Sequence, residues 1–137
     1  MRNVYPGGFF IAFMFFIGCS GILGPAGNTY NYRAYDQSNK LVVIGDLVFH
    51  QLDTVHVKGS WHMLNVNGAE MTGISEAFGK FEGQLEADSL YIDLNPQWRD
   101  NNVILLGQFK KGIYQGKWQH IGLPGVMSEG RFEATID

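Results

Sequence analysis

From Leu41 onward the chain alternates between apolar and polar residues with a period of two. In Leu41 to His50 the first set is Leu41, Val43, Gly45, Leu47 and Phe49, with Asp46 and His50 on the other set. Val55, Val57, Gly59, Trp61 and Met63 repeat the pattern against His56, Lys58, Ser60 and His62, and Leu52-Asp53-Thr54 between the runs reads as a hairpin turn. The beat continues through Ala77 to Ala87, Leu90 to Asn95, Val103 to Phe109, Ile113 to His120 and Val126 to Asp137. Near Ile104 and Leu106 both faces are apolar. Such alternation is the signature of strands with one wet face and one buried face. The pattern predicts an all-β, antiparallel up-and-down meander of about seven to eight strands. No stretch shows a convincing helical period. Tyr30-Asn31-Tyr32-Arg33-Ala34-Tyr35 shows no clear period and is read as part of a tether.

Within the strands, glycine is followed two residues later by an aromatic. The pattern occurs as Gly59-Ser60-Trp61, Gly79-Lys80-Phe81, Gly107-Gln108-Phe109, Gly116-Lys117-Trp118 and Gly130-Arg131-Phe132. Its spacing is irregular, which excludes a solenoid repeat. Glycine weakens a strand unless it serves a bend or a close approach. Inward glycines let a sheet curl, and a neighbouring ring can cover the bare backbone. A short sheet curled in this way closes and loses its edges. A small closed or nearly closed barrel is therefore expected over a flat sandwich.

Gly59-Ser60-Trp61 resembles the G-x-W motif of lipocalins, although it falls on the second predicted strand rather than the first. The run from Gly116-Lys117-Trp118 to Gly130-Arg131-Phe132-Glu133-Ala134 is similar to the closing strands of bacterial lipocalin-like and avidin-like barrels. The resemblance implies an eight-strand meander able to hold a small apolar ligand.

The N-terminus has a different character. Arg2 precedes nine apolar residues, Phe9 to Ile17, and then Gly18 and Cys19. A membrane-spanning helix needs roughly 20 apolar residues, so this run fits the core of a signal peptide. Phe16-Ile17-Gly18-Cys19 resembles the bacterial lipobox, with Phe16 and Ile17 bulkier than usual. That resemblance implies cleavage before Cys19, which would become the diacylated N-terminal residue of the mature protein. It also implies secretion across the inner membrane and anchoring in the cell envelope. Ser20 follows the cysteine and, by the enteric rule, points to the outer membrane. The organisation expected is a signal peptide at 1–18, a lipid-anchored tether at 19–39 and a barrel domain at 40–137.

Composition narrows the function. The formal net charge is −3, and Lys110-Lys111 is the one adjacent basic pair, so no basic stripe exists for nucleic acid. With a single cysteine there is no internal disulfide and no cysteine pair for zinc. His50, His56 and His62 share a face of one predicted hairpin, but no further ligand is clearly placed, and no metal or other cofactor is expected. There is no P-loop, no dinucleotide fingerprint and no nucleophile motif. No catalytic residue is assigned and the chain is not expected to be an enzyme.

Two binding expectations remain. In the first, the barrel holds a small hydrophobic or amphipathic molecule against Trp61, Phe81, Phe109, Tyr114, Trp118, His120 and Phe132. In the second, side chains fill the barrel and its loops or outer face dock a protein of unknown identity, as a structural component, an inhibitor or an assembly accessory. Trp98, in the loop Asn95-Pro96-Gln97-Trp98-Arg99-Asp100, is either a contact point at the mouth or a ring folded over the barrel end as a plug.

Overall fold

Eight alternating segments pair in chain order, and the last returns to the first. The computed structural model describes residues 29–136 apart from 53, 54, 76 and 99. The export signal, Cys19 and the 53–54 turn lie outside the described residues. The strands are β1 (Thr29–Asp36), β2 (Leu41–Leu52), β3 (His56–Asn65), β4 (Phe78–Glu86), β5 (Ser89–Asp93), β6 (Asn102–Lys110), β7 (Ile113–Gly122) and β8 (Gly125–Thr135). They form a closed antiparallel barrel in the order β1 to β8. The expected all-β meander is thus the observed one.

One strand comes from a stretch read as tether. Tyr30, Tyr32 and Ala34 of β1 point inward and are buried, while Arg33 faces out. This strand pairs with β2 on one side and β8 on the other, so it supplies the closure. The barrel therefore begins at Thr29 rather than at residue 40. Tyrosine is long and amphipathic and can serve either face, which hid the alternation. The seam is reinforced on the outside. Arg131 stacks its guanidinium 3.7 Å from the centre of the Tyr35 ring, and the Tyr35 hydroxyl donates to Glu133 at 3.2 Å.

The glycine–aromatic motifs find their reason in the register. On adjacent β3 and β4, Gly59 faces Phe81 and Trp61 faces Gly79. On β7 and β8, Gly116 faces Phe132 and Trp118 faces Gly130. At Gly59, Gly79 and Gly130 the glycine leaves the gap that the facing ring fills, whereas Gly107 and Gly116 face each other and let β6 and β7 approach closely. A Cβ at Gly79 would lie 2.6 Å from the Trp61 ring, and one at Gly59 would lie 2.4 Å from Phe81. Each indole then reaches across the neighbouring strand to the next. Trp61 Nε1 donates to the carbonyl of Leu94 at 2.7 Å, and Trp118 Nε1 donates to that of Tyr35 at 2.9 Å. The two hairpins stand four strands apart in an eight-strand ring, giving the wall an approximate twofold repeat.

Inside, aromatic rings pack against one another. Tyr30, Phe49 and Phe81 follow one another at 5.2 Å between ring centres. Phe109 joins Tyr30 at 5.7 Å and Tyr114 at 6.5 Å. Tyr114 meets Phe132 at 4.7 Å, and Phe132 meets Tyr32 at 5.7 Å. An eight-strand barrel has an interior that side chains of this size can fill. The polar tip of Tyr114 lies 3.0 Å from the carbonyl of Leu90 and 3.1 Å from that of Leu105. Burial raises the pKa of both Tyr32 and Tyr114, and at Tyr114 the nearby Tyr32 adds to the effect.

Candidate functional site

The alternating strand directions put the loops 37–40, 66–77, 94–101 and 123–124 at one end of the barrel. Two of them, 66–77 and 94–101, build a polar mouth.

The 94–101 loop is fixed by a buried amide. Asn102 is 6% exposed, and its Nδ2 donates to Asp93 Oδ1 at 2.7 Å. Its Oδ1 accepts from the backbone N–H of Val103 at 2.7 Å and of Asn95 at 3.1 Å. Asp93 Oδ1 also accepts from the Asn95 N–H at 2.9 Å. A turn follows, in which the Trp98 N–H donates to the Asn95 carbonyl at 2.9 Å. Leu94 fills the core at this point and is fully buried. The Trp98 indole is held outside and is 70% exposed. The ring is not a plug, because Leu94 and Ile74 already occupy the barrel end.

The 66–77 loop is shaped by Thr72 and Asn65. The Thr72 hydroxyl donates to Asn65 Oδ1 at 2.5 Å and accepts from the Ile74 N–H at 3.2 Å. Asn65 Nδ2 donates to the Ile74 carbonyl at 2.8 Å. These bonds turn Ile74 down into the core.

His120 joins the two loops. It is 5% exposed, with Nδ1 3.0 Å from the carbonyl of Met71 and Nε2 2.6 Å from the side-chain amide of Asn101. The Ser128 hydroxyl donates to the same Met71 carbonyl. Met71 and Asn101 both hold left-handed backbone, with φ of 60° and 58°. Asparagine tolerates this conformation better than methionine does, and the His120 bonds secure both residues.

Between the loops lies a hollow of about 300 Å³, lined by Trp61, Gly73, Ser75, Asn95, Trp98, Asp100 and Asn101. A second hollow of about 530 Å³ on the outer wall of β3 and β4 shares Asn95 and Trp98 with it.

The expected binding residues therefore separate. Trp61 and Trp98 both line the mouth hollow, and Phe81 borders the outer hollow. Phe109, Tyr114 and Phe132 belong to the ring file in the barrel. Trp118 braces β8 against β1 through Tyr35, and His120 stands behind the mouth holding Asn101. Asp100 and Asn101 were legible only as turn residues, Asn95 only as the start of the Trp98 loop, and Ser75 carried no signal; what could have marked them is a run of short polar side chains beside a loop tryptophan. The three histidines do not assemble. His50 sits at a bulge and pairs with Ser60 at 2.9 Å, and His62 lies opposite Asp46. Among the described residues no three His, Cys, Asp or Glu side chains converge on a metal position.

Compared with known proteins, the chain matches no family model, no curated protein and no solved structure.

Proposed function

We propose that this chain is a non-enzymatic lipoprotein of the bacterial cell envelope whose filled barrel is a rigid platform and whose loop end contacts a partner. In this reading Cys19 carries the lipid anchor, after export across the inner membrane, and the outer membrane is the expected site. The barrel is lipocalin-like in architecture, with rings where a ligand cavity would otherwise lie. One observation carries the reading: the file of seven aromatic rings inside the barrel, Phe81, Phe49, Tyr30, Phe109, Tyr114, Phe132 and Tyr32, in successive contact. Packed interiors have no room to spare for a ligand, so recognition moves to the surface. The exposed indole of Trp98 on a fixed turn is the kind of side chain that dominates contact energies. Among the described residues lining the mouth, Asp100 is the one carboxylate, whereas acid–base chemistry calls for a pair of groups with separated pKa values.

A second reading, small-molecule binding, is favoured by the hollow between Trp61 and Trp98. It puts the ligand at the mouth rather than along the axis.

The platform reading is tested by titrating the protein with fatty acids and apolar dyes while following tryptophan emission. No saturable one-to-one binding is expected. A stoichiometric apolar complex would overturn the filled-barrel reading. A photo-crosslinking residue at position 97, exposed beside Trp98, should give a discrete adduct in cells, and one at Lys111, on the far end, should not; equal labelling at both positions would remove the loop end as the contact surface.

A further inference from the structure

The mouth presents one free aromatic face ringed by short polar side chains. Trp98 is kept in solvent by the turn that carries it, which Asp93 and Asn102 hold through the Asn95 N–H. A fixed, flat apolar surface costs little further ordering when something lands on it. Around it stand Ser75, Asn95, Asp100 and Asn101. A hydroxyl, two amides and a carboxylate call for a ligand dense in groups that both donate and accept.

Asn101 sharpens the requirement. The Met71 carbonyl can only accept, so His120 Nδ1 carries a proton. His120 Nε2 stands 2.6 Å from the Asn101 side-chain oxygen, so the two N–H donors of that amide are left for the ligand. A hydroxyl group can accept from them and donate to Asp100.

Charge and ring count narrow the choice. Asp100 is the one charged residue among the described residues lining the hollow, and the adjoining outer hollow sets Lys58 and Lys80 against Glu82, so neither sign of charge dominates and a neutral ligand fits. Trp61 is 3% exposed with its N–H spent on Leu94, so a single indole face is free. The multi-ring cage that captures quaternary ammonium groups is not built.

We propose that the mouth binds a neutral saccharide, with the C–H face of a pyranose stacked on Trp98 and its hydroxyls on Asn95, Asp100 and Asn101. The inference rests on the reading that the loop end is the recognition surface. The outer hollow shares Asn95 and Trp98, so a ring on the indole has room on both sides. That geometry fits a unit within an oligosaccharide better than an isolated monosaccharide.

The test uses the full chain, acylated and reconstituted in lipid nanodiscs, titrated with neutral hexose and N-acetylhexosamine sugars from single units to short oligomers. Calorimetry and tryptophan emission should show saturable binding, tighter for oligomers. Trp98→Ala should weaken it by about tenfold or more, the loss typical of a central aromatic contact. Asn101→Ala should weaken it less, and Phe78→Ala, an exposed aromatic outside this hollow, should leave it unchanged. Absence of saturable binding across the panel overturns the saccharide, as does binding that Trp98→Ala leaves intact. If the panel fails while the adduct at position 97 persists, the saccharide alone is lost; if that adduct is missing as well, the platform reading falls with it.

Discussion

Gly130→Ala tests the motif logic directly. Gly130 lies opposite Trp118 and beside β1, and an added Cβ would sit 1.9 Å from the Tyr35 carbonyl and 2.8 Å from Trp118 Nε1. The first contact is with backbone, so β8 and β1 must separate. The second displaces the indole from its 2.9 Å bond to that same carbonyl. Overpacking of this kind costs about 1–3 kcal/mol, and the lost bond adds about 1 kcal/mol. The sum is about 2–4 kcal/mol. At about 4 °C per kcal/mol for a domain of this size, the melting temperature should drop by about 8–16 °C. The assay is urea and thermal unfolding of the barrel, residues 29–137, followed by circular dichroism. Gly112→Ala is the control. Its Cβ would meet nothing within 4 Å, although its φ of 74° disfavours a side chain, and its cost should stay near about 1 kcal/mol. In a Trp118→Phe background the Gly130→Ala penalty should shrink, because the hydrogen bond is already gone. Equal penalties for Gly130→Ala and Gly112→Ala, or full additivity with Trp118→Phe, would refute the reasoning.

Three further outcomes are expected. Unfolded tyrosine ionises near about pH 10, and burial raises the pKa of Tyr32 and Tyr114; the stability held by their neutral hydroxyls is therefore complete below that pH and is lost as pH climbs toward the folded values, so their phenolate absorbance should appear only together with unfolding, and its appearance in the folded barrel would count against their burial. Asn102→Ala removes the amide that ties Asp93, Asn95 and Val103, at a cost of about 1–3 kcal/mol for the groups left unpaired, and should speed amide hydrogen exchange at Asn95, Gln97 and Trp98 while β7 and β8 stay protected; unchanged exchange would mean that the turn is held by something else. Cys19→Ser should leave the chain unacylated, and wholly unchanged membrane partitioning of the mutant would disprove the lipid anchor.

The sequence by itself determined the wall. A two-residue beat can be buried on one face only as a strand, and repeated inward glycines with nearby rings imply a curled sheet. Those properties are local, so Leu47, Phe81, Tyr114 and Phe132 could be assigned to the interior without coordinates. Tertiary structure decided which strand closed the ring and which glycine served which ring. Both depend on register between segments far apart in the chain, as where Trp118 crosses Gly130 to bond Tyr35. It also decided the mouth. Asn95, Asp100 and Asn101 look like turn residues in any sequence, and they converge with Ser75 only because alternating strand directions bring loops 66–77 and 94–101 to the same end, where His120 of β7 ties them together.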